Sequence, residues 1–348
     1  MPDDKRRILA FSVITVVAVV TAVGYAVYAA RRGAAETTPG GIRVVKNETE
    51  RDAIAVADRV LFRNTALGQG YGTVSIAKVA DPSSIRYPTE LVCDRVDFAG
   101  GMGSCLTADR GVFTKYYVVI FDEHFKAREP LPLGGIPSRT RVSPDGKLVA
   151  TTVFVSGHSY SAGSFSTLTN LVDTASNKVI ADLEHFAVTR GGKPFKAVDF
   201  NFWGVTFAAD SNRFFATLGT GQEQLLIRGD IRARTAVVLR GGVECPAVSP
   251  DGRRLGFKRR GIENGVLGWR LATLELQTLQ EKVIPGETRS VDDQVEWLDD
   301  SHLLYGVSDE ENGLGGTSVW VVDVDGADAA RVWLRGAYSP SVSTPGQP

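Results

Sequence analysis

Histidine, cysteine and methionine are scarce in this chain of 348 residues, which has four, three and two of them. The histidines, His124, His158, His185 and His302, form no H-x-H or H-E-x-x-H spacing, so none of the common histidine-built metal sites is written here. An excess of either charge is missing too. The 39 Lys and Arg residues face 40 Asp and Glu, a formal net charge of −1. Without a basic stripe to neutralise phosphates, no nucleic-acid partner is expected. There is no G-x-S-x-G elbow, phosphate-cradling loop or dinucleotide fingerprint, and no cofactor is expected. The nearest look-alike to an elbow, GHSYSAG at Gly157–Gly163, lacks its second Gly in place.

One long apolar run is present. Ile8–Ala30 holds 23 residues without a charge. About 20 apolar residues cross a hydrocarbon core as a helix. Residues 8–30 are therefore expected to form a transmembrane helix behind a short cytoplasmic tail at 1–7. The alternative is a cleaved signal peptide, whose apolar region is shorter, roughly 7–15 residues; AVYA at Ala26–Ala29 resembles its cleavage site. Lys5, Arg6 and Arg7 before the run outnumber Arg31 and Arg32 after it, which favours an inside N-terminus and the rest of the chain outside the cytoplasm. Residues 31–57 are small and charged and read as a linker, although IRVV within them has strand character.

Two of the cysteines, Cys93 and Cys105, flank VDFAGGMGS, a hairpin pattern with a Gly-rich tip. A hairpin centred on Ala99 sets them directly opposite one another. Opposed Cβ atoms on antiparallel strands approach to about 4.5–5.5 Å, close to what a disulfide needs. A Cys93–Cys105 bridge is expected, and with it an oxidising compartment. Two buried thiols are the alternative, and Cys245, left over, is expected to be buried.

From Asp58 onward, runs of four to eight strand-forming residues alternate with turn signals. The tetrapeptide SPDG occurs twice, around Asp145 and Asp251, and degraded copies follow the same shape around Asp210, Asp300 and Asp109. The spacings are 36, 65, 41 and 49 residues, and the longest carries an insertion at Ser156–Asn170. Four-stranded propeller blades repeat at roughly 40–50 residues. Each anchor is followed by a second hairpin, as in VWVVDVDG, so each unit supplies four strands. Asp58–Leu91 adds a sixth unit, and GAYSPSVSTPG is expected to supply a strand that closes the last sheet onto the first. SPDG itself is explained by turn chemistry, since Pro fixes φ, Asp accepts local backbone hydrogen bonds and Gly supplies a positive φ.

RVSPDGKLVA, AVSPDGRRLGF and SVWVVDVDG resemble the repeats of TolB-like six-bladed β-propellers, with VEWLDDSHLLYG and VTFAADSNRFFATL as weaker matches. The order CDRVDFAGGMGSCLTADRG then YYVVIFD is similar to membrane-anchored members of actinobacterial type. The resemblance implies an all-β fold, a six-bladed propeller of four-stranded blades over 58–341, with a disordered tail at 342–348. The expected role is a membrane-anchored, extracytoplasmic module that binds or scaffolds an envelope protein. The alternative is a metal-dependent lactonase or lyase working in the propeller channel. Asp199, Asn201, Trp203, Glu244 and Glu296 lie where inner strands begin and are the candidate rim or channel residues. His158 and Tyr160, in the insertion, are candidate loop contacts.

Overall fold

The computed structural model describes residues 11–25, 43–54, 58–155, 166–263, 266–308, 316–326 and 328–343. Residues 11–25 form a helix, α1, and Glu48–Ile54 a second, α2. A 3-10 turn spans Leu183–His185, and the other described residues are strand, turn and loop. On the first sheet, β1 (Arg43–Val44) lies outside β4 (Ile85–Val92), followed inward by β3 (Thr73–Lys78) and β2 (Arg59–Asn64). The second blade is β5 (Arg95–Ala99), β6 (Met102–Arg110), β7 (Thr114–Asp122) and β8 (Leu131–Leu133). The third is β9 (Ile136–Val142), β10 (Leu148–Val155), β11 (Ser166–Asp173) and β12 (Lys178–Asp182). In the fourth, β13 (Ala187–Arg190) and β14 (Lys193–Pro194) extend the outer edge of β15 (Asn201–Phe207), β16 (Arg213–Thr220), β17 (Glu223–Asp230) and β18 (Thr235–Gly241). The fifth is β19 (Glu244–Val248), β20 (Arg254–Glu263), β21 (Val266–Glu275) and β22 (Glu281–Val283). The sixth is β23 (Glu296–Asp299), β24 (His302–Ser308), β25 (Thr317–Asp323) and β26 (Arg331–Leu334).

The ring closes as the sequence implied. β27 (Ala337–Ser343) pairs with β2 and becomes the inner strand of blade 1. Each inner strand touches the next around a full circle, β27, β5, β9, β15, β19, β23 and back to β27. Serines stitch the joint: Phe98 N donates to Ser341 Oγ at 2.9 Å and Val96 N to Ser339 Oγ at 3.1 Å. Interfaces between blades are packed with buried apolar residues such as Phe202, Phe214 and Leu218 on one side and Phe257, Leu255 and Leu274 on another. This is why the strands are apolar without strict alternation, because both faces of each blade are covered.

The SPDG turns join first to second strands, and each leans on its neighbour. Ser143 Oγ donates to Asp145 Oδ1 at 2.7 Å, and Ser249 to Asp251 at 2.6 Å. Asp251 N in turn donates to Asp300 Oδ1 in the next blade at 2.9 Å, and Asp145 N to Ser211 Oγ at 3.2 Å. Asp109 is a correction. It lies at the end of β6, before the second hairpin of its blade. The equivalent turn is Gly100–Gly101, where a Cβ on Gly100 would fall 2.3 Å from Gly146 N. Gly100 fits there because the neighbouring turn leaves no room for a side chain.

Cys93 and Cys105 are joined, with Cα atoms 5.3 Å apart. The hairpin, however, is centred on Gly100–Gly101, and Cys105 pairs with Val96. Cys93 lies in the crossover from blade 1, so the bridge ties that crossover to β6. The expected linker is partly docked. Arg43–Val44 runs parallel to β4, Ile54 is buried, and Tyr87 Oη donates to Glu50 Oε2 at 3.0 Å. Among the described residues no helix is long and apolar enough to cross a membrane.

Candidate functional site

The channel runs between two faces. The turn face carries the first hairpins; the mouth face carries the second. Strand alternation sends Arg95 and Asp97 of β5, and Arg139 and Arg141 of β9, to the axis. Five of the six inner strands slip register: beside Ser138, between Trp203 and Thr206, between Glu244 and Ala247, beside Leu298, and around Ser339–Pro340. These bulges bend the strands and re-aim their side chains. At the second and third, Gly204 has φ +62° and Cys245 φ +50°, and a Cβ on Gly204 would lie 2.5 Å from Cys245 Cα. The two bulges fit only because one has no side chain.

The middle of the channel is held by ion pairs. Arg141 Nη1 donates to Asp97 Oδ1 at 2.8 Å and also to Glu296, and its Nη2 donates to Val295 O at 2.8 Å. Asp97 and Glu296 further accept the amides of Val142 and Val342. Burial pushes the Glu296 carboxyl up to about 7, against the pull of Arg141 and with the push of Asp97. Deeper toward the mouth, Arg95 Nη1 reaches Asp293 Oδ1 at 2.9 Å. Burial raises the Asp293 carboxyl, but Arg95, Arg139 and the Gly306 amide outweigh it and hold it below the usual value. On the turn face a cavity of about 200 Å³ is lined by Arg141, Glu296 and Pro144 among others.

The mouth is wider. A cavity of about 540 Å³ is lined by Arg95, Arg139, Lys258 and Arg260, by Glu244 and Asp292, and by Phe154, Trp203 and Trp269. Glu244 Oε1 accepts from Arg260 Nε at 3.0 Å and from Trp269 Nε1 at 3.2 Å. Lys258 is paired with Asp292 and lies 5.0 Å from the Trp269 ring centroid.

The sequence candidates divide accordingly. Trp203 and Glu244 meet in the mouth, and Glu296 lies at the other end of the channel. Asp199 and Asn201 are structural ties at the rim. Asp199 accepts Gly221 N and Thr220 Oγ1, both at 2.7 Å, and these bonds hold its carboxyl below the ordinary value. Asn201 accepts Thr167 N at 2.9 Å and joins blade 4 to blade 3. His158 and Tyr160 lie outside the described residues. The sequence reading passed over Arg95, Arg139, Lys258, Arg260 and Trp269. Charged residues at alternate places in an inner strand, as in RTRV and RVDF, were the available signal. A channel metal site needs several acids converging on one open point. Here arginines stand between Asp97, Asp293 and Glu296, and among the described residues no three His, Cys, Asp or Glu side chains converge.

No family model and no curated protein matches the sequence. Solved structures do match. TolB from Acinetobacter baumannii superposes with a TM-score of 0.59 at 13% identity, over 83% of this chain and 67% of that one. The fold is that of a TolB-like six-bladed propeller. A chain of the nidogen/laminin complex also superposes, with a TM-score of 0.53 at 10% identity, over 82% of this chain and 98% of that one. At these identities the TolB-like likeness is one of architecture.

Proposed function

We propose that this protein is a membrane-anchored propeller that faces out of the cytoplasm and binds a protein partner in the envelope. The observation that carries the binding role is the mouth face. Its second hairpins present Leu67, Tyr71, Val112, Phe113, Ile262 and Leu267 to solvent, with Val112 at 96% and Phe113 at 81% exposure. Exposed apolar tips gathered on one face of a packed fold mark a contact surface. The nidogen/laminin neighbour comes from a complex of two proteins, which fits an architecture used for protein contacts. Three features support the anchor. The described residues of the apolar run are helical, uncharged and exposed. Thr15 and Thr21 turn their hydroxyls back onto the carbonyls of Phe11 and Val17 at 2.9 and 2.8 Å, which hides their polarity. The Cys93–Cys105 bridge belongs in an oxidising compartment.

Two measurements test this reading. Full-length protein expressed in cells is expected to stay with membranes through alkaline carbonate and to be digested by protease added outside; release, or protection, refutes the topology. Cross-linking in those membranes is expected to give a partner adduct that Phe113→Asp with Ile262→Asp removes. An adduct unchanged by the pair of substitutions refutes the contact face.

A further inference from the structure

We infer that the wide mouth of the channel is a carboxylate-binding site, with Arg139 as the residue that takes the anion. Four cations line or reach this cavity: Arg95, Arg139, Lys258 and Arg260. Among the described residues three carboxylates face them, and each is taken at contact distance by a different cation. Arg95 holds Asp293 at 2.9 Å, Arg260 holds Glu244 at 3.0 Å, and Lys258 holds Asp292. Arg139 is left over. Its nearest carboxylate oxygen, on Asp293, is 3.9 Å away. Its Nη1 donates only to the carbonyl of adjacent Ser138, and its Nε is buried with no partner. A buried guanidinium with idle donors costs free energy that an incoming anion recovers. The one net positive charge among these described groups selects an anion, and the planar donor fork of arginine suits a carboxylate.

The walls define the rest of the ligand. Trp203, Trp269 and Phe154 supply apolar surface beside the cations. A cavity of about 540 Å³ lies within the range of small-molecule sites, roughly 300–1,000 Å³. The class is therefore a carboxylate carried on an apolar body. Such a group comes either from a free organic acid or from the C-terminal residue of a polypeptide. Recognition by Glu244 is of a different kind: its bonds to Arg260 and Trp269 fix the wall against which the body rests. This inference stands apart from the membrane reading, because it uses only the channel.

The test is calorimetric titration of the full chain in neutral detergent at low salt. The probes are phenylacetate, its neutral isostere phenylacetamide, and a short peptide ending in Phe as free acid or as amide. At least one acid is expected to bind about tenfold or more tightly than its amide, the worth of one charge-assisted contact. Binding of phenylacetate assigns the site to free acids; binding of the peptide acid alone assigns it to chain ends. Arg139→Gln is expected to abolish the acid–amide difference and Arg139→Lys to restore part of it. The inference is overturned if neither acid binds better than its amide, or if folded Arg139→Gln keeps the preference. The comparison of acid with amide on the unaltered protein decides the matter even where a variant fails to fold.

Discussion

Glu296 is a residue whose titration the fold moves into the neutral range. Its carboxyl is pushed up to about 7 from an ordinary 4.5, so the folded state holds the proton more tightly than the unfolded chain does. The stability this contributes is complete below about pH 4.5 and is lost as pH rises through 7. The Asp groups held low, such as Asp145, Asp199 and Asp251, act below their ordinary 3.8 and leave the window from 5 to 7 to Glu296. Glu296→Gln is therefore expected to melt close to the parent at pH 5 and above it at pH 8. Thermal unfolding followed across that range checks it, and a parallel pH dependence in both proteins contradicts it. Nothing in the sequence announces this behaviour. VEWLDD shows a Glu before an apolar residue, but its shift depends on burial beside Arg141, 155 positions away.

At the scale of elements, the bridge between the crossover and β6 closes a loop with a sequence separation of 12. Replacing both Cys93 and Cys105 by Ser is expected to cost about 3 kcal/mol, from loop-closure entropy in the unfolded chain. Chemical denaturation measures it, and an unchanged midpoint sinks the estimate. The pairing was legible in the sequence; its geometry was not. Counting from Ala99 put the two cysteines opposite each other, whereas the tight turn at Gly100–Gly101 moves the register and leaves Cys93 outside the ladder. The blade hairpins were legible for a local reason, since Ser, Asp and Gly close each turn by contacts within a few residues. The mouth was harder to read because its geometry comes from bulges. Even so, four of the five bulged inner strands carry a Gly or Pro in an otherwise strand-like run, in IPSRT, FWGVTF, ECPAV and YSPSV, and only EWLD does not. Gly and Pro within a strand often mark such breaks. The Gly204 bulge decides where Trp203 stands, and the Cys245 bulge where Glu244 does.

For the whole molecule, closure is the property on which everything else depends. Ala337 and Ser341 are buried in the joint, and Val342 N donates to Glu296 on the neighbouring inner strand. Removing residues from Ala337 onward would leave β2 as an open inner edge. The expected outcome is loss of a single cooperative melting transition and a tendency to associate, seen by scanning calorimetry and size-exclusion chromatography. A truncated protein that melts as one unit at the parent temperature would show that closure is dispensable.

Blade 1 also receives the chain from the other side. The segment that follows α1 reaches the propeller through β1, on the outer edge of the sheet whose inner edge is β27. A pull on that segment is first resisted by two paired residues of β1, Arg43 and Val44, and by α2 clasped on Tyr87. These few contacts are expected to give way under tension before any four-stranded sheet is sheared. Under the proposed anchoring, blade 1 would bear the load of the tether, and β1 with α2 would act as a short extensible slack that spares the ring.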